Sequence, residues 1–251
     1  ALTDADHNVA VGRGSLGADT LGSKTVAIGF GALSSQDFTT ATDTHNTAVG
    51  FNAGVLVSTG NLNTLIGSLA GDAITTGTDN VALGYEALGA EDAHGLNVAV
   101  GSQALRVQDA GANAYNVAVG YNAGGSVSSG VANVFMGGLA GDAFTDADYN
   151  IAIGTSALTG DEMGSRSVAI GHAALSTQNF TTATNTLNTA VGYSAGTANT
   201  TGTNNTFIGH QSGTANTDGN NNTGLGPGTL ESNTRGDQNT AIGSFALQTY
   251  N

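Results

Sequence analysis

The sequence predicts an all-β fold: a parallel β-solenoid, or β-roll, of about fourteen 17-residue coils. Three observations carry that expectation. A five-residue pattern, typified by Asn46-Thr47-Ala48-Val49-Gly50, closes on a glycine at Gly12, Gly29, Gly50, Gly67, Gly84, Gly101, Gly120, Gly137, Gly154, Gly171, Gly192, Gly209, Gly226 and Gly243. The gaps between those glycines are 17, 21, 17, 17, 17, 19, 17, 17, 17, 21, 17, 17 and 17 residues. A short fixed period throughout a chain marks like units that bury their apolar faces against their neighbours. Within each pattern a β-branched residue at the second position and an aliphatic one at the fourth flank a third that is usually Ala, and a 3.6-residue period is absent, which argues strand and not helix.

Each position of the unit has its own reason. The opening residue is Asn in twelve units, with Thr25 and Ser167 in the other two. Asn tolerates left-handed backbone and bonds nearby main chain, so it suits a turn into a strand; stacked in register, it could also form an amide ladder. The second position is Val, Ile or Thr throughout and the fourth is always aliphatic, as in Val9 and Val11 or Ile151 and Ile153. Residues two apart share one face of a strand, and β-branched side chains suit a pleated surface. These two positions are therefore expected to fill the core of the roll. The closing glycine reads as a corner that needs positive φ or close backbone approach.

The third position then faces outward. It holds Ala10, Ala27, Ala48, Leu65, Ala82, Ala99, Ala118, Phe135, Ala152, Ala169, Ala190, Phe207 and Ala241, with Gly224 in the remaining unit. A strand apolar on both sides is buried on both sides. These thirteen apolar side chains are accordingly expected to form an oligomer interface against other copies of the chain.

Longer rhythms lie above the 17. Residues 1–109 align without gaps on 143–251, so the chain reads as one elongated array, with 1–142 a first eight-coil block and 143–251 part of a second. The array is expected to continue beyond this segment or to be capped by neighbouring copies. Four residues after each closing glycine stands Leu, Leu, Gly, Gly in turn, beginning at Leu16, Leu33, Gly54 and Gly71. Each lengthened coil follows the second Leu, which places bulges at Ser34–His45, Arg106–Tyr115 and Ser176–Leu187. Loops that protrude from a rigid scaffold carry recognition, so Phe38, Thr39, Thr40, Tyr115, Phe180, Thr181 and Thr182 are candidate recognition residues; the alternative is that they fill a groove between chains.

Composition narrows the function classes. The net charge is −14, from 19 acidic and 5 basic residues, which disfavours nucleic acid and anionic lipid as partners. Cysteine is absent, consistent with an exported protein. No apolar run approaches the length of a membrane-spanning helix. The first residues do not have the pattern of a signal peptide, so any export, anchor or chaperone segment is expected outside this chain.

The pattern of Asn80-Val81-Ala82-Leu83-Gly84-Tyr85-Glu86-Ala87-Leu88, and still more Ser23-Lys24-Thr25-Val26-Ala27-Ile28-Gly29, resembles the head repeats of trimeric autotransporter adhesins. It is also similar to Asn-Thr-Ala-Val-Gly arrays of predicted phage fibres and environmental surface proteins. The resemblance covers the whole chain and implies a left-handed parallel β-roll, three chains packed side by side, and adhesion at a bacterial surface. The adhesin repeat is usually shorter than 17 residues, so turns and trimer contacts are expected to differ here.

No cofactor is expected. His7, His45, His94, His172 and His210 lack the spacing of a helical zinc motif and do not recur by coil. The acidic groups Asp4/Asp6, Asp72, Asp79, Asp142 and Asp146/Asp148 could hold Ca²⁺ with backbone carbonyls, though a solvated acidic edge is favoured. There is no Gly-x-Ser-x-Gly elbow and no single phosphate loop, so no enzyme is expected. Three roles remain: a structural and adhesive extracellular fibre, a phage tail-fibre shaft, and an ice-binding solenoid. The Thr39, Thr40, Thr42 and Thr181, Thr182, Thr184 clusters suggest the last, but Thr-x-Thr is not repeated at every coil.

Overall fold

The computed structural model describes residues 5–248. The chain is an all-β parallel solenoid of about fourteen turns, with no helix among the described residues. It divides into two compact units, Ala1–Asn122 and Ala123–Asn251, so the sequence-block boundary at 142/143 falls inside the second. The first unit contains the strands Val9–Val11, Val26–Ile28, Thr47–Val49, Thr64–Ile66, Val81–Leu83, Val98–Val100 and Val117–Val119. The second contains Val134–Met136, Ile151–Ile153, Val168–Ile170, Thr189–Val191, Thr206–Ile208, Thr223–Leu225 and Thr240–Ile242. Within each unit, consecutive strands pair in parallel and like positions meet: Val81↔Val98, Ala82↔Ala99 and Leu83↔Val100 in one, Thr189↔Thr206 and Ala190↔Phe207 in the other.

Corners and the opening Asn give the coil its pitch. Asn63 donates from Nδ2 to the carbonyl of Gly77 (2.8 Å), and its Oδ1 accepts the backbone N–H of Asn80 (3.0 Å). Asn46 and, in the second unit, Asn188 and Asn205 repeat this pair of bonds. Each buried amide thus satisfies one carbonyl at the end of its coil and one N–H of the next. The ladder runs mostly through side chain and backbone in alternation. Where Thr25 and Ser167 stand in place of Asn, their N–H groups still meet Asn8 and Asn150 of the preceding coil.

The two faces of the strand are the reverse of the expectation. Ala27, Ala48, Leu65, Ala82, Ala99, Ala118, Phe135, Ala152, Ala169, Ala190 and Phe207 are wholly buried inside their own roll, and Ala241 nearly so. They are core, not an oligomer interface; Ala10, in the first strand, is exposed. The second and fourth positions point outward and are half-buried or exposed, with Leu83 41% and Met136 42% accessible. The reason is the width of the coil. Opposite the third position lies the residue three after the closing glycine, Ala in most coils (Ala87, Ala104, Ala123, Ala140), and beside it, in the coils of the Leu type, the corner Leu (Leu88, Leu105), all buried. A 17-residue turn leaves room between its walls for methyl groups and one Leu, not for two β-branched side chains as well.

The Leu-Leu-Gly-Gly rhythm follows from the same space. Both residue types adopt the left-handed conformation at that corner: φ is 48° at Leu33 and 51° at Leu88, 57° at Gly54 and 56° at Gly71. Gly replaces Leu in the coil whose third position grows and in the coil before it: a Cβ at Gly54 would lie 2.6 Å from Leu65 Cδ1 of the next coil. A Cβ at Gly71 would lie 2.7 Å from Leu65 Cδ2 and 2.8 Å from Ile74 Cδ1. Phe135 lies against Gly141 and Phe207 against Gly213 in the same way. At Gly224 the exchange runs the other way, and the space is filled by the Ser212 and Thr229 hydroxyls, 2.7 Å apart.

Leu65→Ala is therefore expected to cost about 2–5 kcal/mol by opening a cavity. Leu65→Ala with Gly71→Leu should recover part of that loss, because neighbouring coils already hold Leu at this corner; the recovery is incomplete because Ile74 Cδ1 must rotate away from the new Cβ. Urea unfolding of the two variants checks this, and a double variant no more stable than the single would refute the exchange.

Candidate functional site

Three surfaces and one buried cluster carry chemistry. The first surface is the outer face of the sheet in each unit. Its second and fourth positions are Val, Ile, Thr, Leu or Met in every coil, so it bears no charge although the chain carries −14. Thr189, Thr206, Thr223 and Thr240 form an outward rank of hydroxyls beside Val191, Ile208, Leu225 and Ile242. Along one edge, the residue after the closing glycine is often aromatic and exposed. Phe30 and Phe51 stack at 5.4 Å, and Tyr193 lies between His172 and His210 at 5.2 and 5.5 Å. Because these rings cover one another's faces, the rows present edges and not the open platforms on which sugars stack.

The second surface is formed by the bulges. Thr39, Thr40, Thr181, Thr182 and Tyr115 are exposed, as a recognition loop requires. Phe38 and Phe180 are not: both are buried, at 6% and 9% accessible, and belong to the core beneath the loop. Their coils gain a second short pairing, Gly22–Ser23 with Thr42–Asp43 and Gly164–Ser165 with Thr184–Asn185, which ties the longer loops to the preceding turn.

A shallow groove lined by Leu69, Asp72, Glu86, Gly89, Arg106 and Val107 is the third surface. Desolvation raises the Asp72 carboxyl, with the Glu86 charge acting the same way. Hydrogen bonds from Tyr85 and Gln103 lower that of Glu86.

The buried cluster stands seven residues after the closing glycine. There the coils of the Leu type hold wholly buried polar pairs, Asp19 with Gln36 and Asp161 with Gln178. Asp19 Oδ1 accepts the Gly22 N–H at 3.0 Å and Oδ2 accepts Gln36 Nε2 at 2.8 Å. Asp161 accepts the Gly164 and Phe180 N–H groups, both at 3.0 Å. Desolvation nonetheless raises the Asp161 carboxyl. Sequence reading missed these acids, although their recurrence at a fixed place in the coil was the available signal.

In the middle module that place is Glu91. It is wholly buried, its Oε1 accepts the His94 N–H at 3.2 Å, and its Oε2 faces Asn97 Nδ2 at 3.4 Å. Burial pushes its carboxyl up to about 7, and the charges of Asp109 and Asp92 act in the same direction. Glu91, Asp92, His94 and Asp109 each bring one ligand atom within 4.8 Å of the others. Among the described residues this is the grouping of metal-ligating side chains. It is not built from Asp6, Asp72, Asp79, Asp142, Asp146 or Asp148, and Asp4 lies outside the described residues.

No helix among the described residues is long and apolar enough to cross a membrane. No protein-family model, no curated protein and no solved structure matches the chain.

Proposed function

We propose that this chain is a non-enzymatic structural segment of an extracellular fibre, at a microbial surface or in a virion, whose copies associate side by side through the outer face of the sheet. Three copies in left-handed rolls are the arrangement implied by the adhesin head repeats that the motif resembles. The observation that carries the reading is the uncharged aliphatic face itself. On a chain of net charge −14, other surfaces of two like copies repel. This face brings no charge into contact and offers in-register ranks of Val, Ile and Leu that suit a second copy. The exposed Thr39, Thr40, Thr181, Thr182 and Tyr115 would then be displayed at the rim of the bundle for adhesion.

Sedimentation equilibrium tests this. The wild-type chain is expected at three times the monomer mass, and Leu83→Glu with Ile208→Glu at the monomer mass with an unchanged far-ultraviolet spectrum. A wild-type monomer at all concentrations would overturn the proposal. The outward Thr189–Thr240 rank keeps an ice-binding role as a second reading; it lacks hydroxyls at the fourth position, and a thermal-hysteresis assay without activity would remove it.

A further inference from the structure

We propose that Glu91, Asp92, His94 and Asp109 bind one divalent cation of the zinc class, clipping the turn after Gly84 to the lengthened turn after Gly101. The independent observation is His94. Its Nδ1 is out of contact with solvent and has no hydrogen-bond partner. It lies 3.7 Å from Glu91 Oε1, beyond hydrogen-bond reach. A buried ring nitrogen left without a partner is unfavourable, and a cation seated between it and the carboxylate removes that cost.

The other two modules show that the imidazole is aimed at the acid. Glu91-Asp92-Ala93-His94 occupies the place of Asp19-Thr20-Leu21-Gly22 and of Asp161-Glu162-Met163-Gly164. A Cβ added at Gly22 would run into Asp19 Oδ2, and one at Gly164 into Asp161 Oδ2. A side chain at this point of the coil therefore projects onto the buried carboxylate. Where the acid is Asp, Gly is required; where it is Glu, a His stands there instead. Asp109 takes the place of Asp37 and Asn179, and Asp92 that of Thr20 and Glu162. Only the middle module brings an imidazole to this acid.

The donor set decides the class of ion. One imidazole nitrogen and three carboxylates suit borderline first-row cations, whereas Ca²⁺ and Mg²⁺ take oxygen alone. Zinc held at ~2.0–2.2 Å from four donors sets them roughly 3.4 Å apart. The present spread, within 4.8 Å, closes to that by side-chain rotation of Asp92 and Asp109. Both are exposed, so the ion has a path from solvent and the moving ligands are the unconstrained ones.

Isothermal titration of the chelator-treated, full 251-residue chain with zinc chloride tests this, with manganese and calcium chloride as comparisons. One zinc per chain is expected, together with a higher melting temperature and weaker binding of calcium. His94→Gly and Asp109→Asn restore residues that the other modules hold, so both variants should fold. Each is expected to weaken zinc binding at least about 100-fold, with an unchanged far-ultraviolet spectrum. Cobalt substituted into the wild type should give a visible d–d spectrum that His94→Gly loses. No zinc binding tighter than about 0.1 mM, or binding that both variants retain, would overturn the assignment, the latter because it would mark diffuse attraction to an acidic surface.

Discussion

Ala99→Glu is expected to leave the unit Ala1–Asn122 unfolded at room temperature. Ala99 is wholly buried, stacks in register between Ala82 and Ala118, and faces an interior also lined by Ala87, Ala104, Leu88 and Leu105. A glutamate there meets methyl groups, with no donor from which its carboxylate could accept and no room for its added atoms. An unpaired carboxylate in such a core costs at least about 3–5 kcal/mol, and overpacking adds about 1–3 kcal/mol. That is comparable to the whole stability of an ordinary domain, about 5–15 kcal/mol. Because each turn rests only on its neighbours, the damage spreads along the stack. Leu83→Glu is the matched control, since its side chain is 41% exposed on the outer face and its charge stays solvated. Far-ultraviolet circular dichroism separates the two: the core variant should lose its β signal and the surface variant should keep it. A native spectrum for Ala99→Glu would return the third position to the outside of the roll.

That contrast also marks what was legible in the sequence. The period of 17, the strand within it and the stacking of like positions follow from the spacing of glycines and the β-branched residues that precede them. The side on which each residue lies does not, because the strand is apolar on both faces. A preference for burying the bulkier side chain then puts Val and Ile inside, but the narrow coil puts Ala inside. The decisive signal was a correlation between distant positions. Leu65, Phe135 and Phe207 occur only where the corner residue is Gly, as at Gly71, Gly141 and Gly213. Residues that exchange volume in this way share one space, and that places the third position in the core.

The candidate cation site has a similar history. Its Glu91 stands where Asp19 and Asp161 stand, and its His94 where Gly22 and Gly164 stand, so aligning the modules brings Glu91 and His94 into view. What alignment cannot supply is the approach of Asp109 from the following turn. That depends on the path of the lengthened loop, for which no local residue pattern codes.

Gly84→Ala is the second variant with a large expected effect, and it tests the corner directly. Gly84 has φ of +142°, a region that residues with a Cβ rarely adopt. A methyl there would lie 2.5 Å from both the carbonyl carbon and the oxygen of Gly101, the equivalent corner of the next turn. The obstacle is main chain and cannot rotate away. It is held in place because the Gly84 N–H donates to Ile66 O at 2.8 Å and the Gly101 N–H to Leu83 O at 2.7 Å. Relieving the clash therefore means breaking the ladder on both sides. Backbone strain alone is on the order of 1–3 kcal/mol, and the lost bonds bring the expected total to about 4 kcal/mol or more. Gly138 provides the control: its φ is not positive and a Cβ there meets nothing within 4 Å. Gly138→Ala should be neutral or stabilising by about 0.4–1 kcal/mol, through the entropy of the unfolded chain. Urea unfolding that ranks the two variants equally would mean that the corner glycines are not what sets the coil. If Gly84→Ala alone collapses, amide exchange should locate the first loss of protection at the N–H groups of Gly84, Val98 and Gly101, where the strands on either side of the added methyl are hydrogen-bonded.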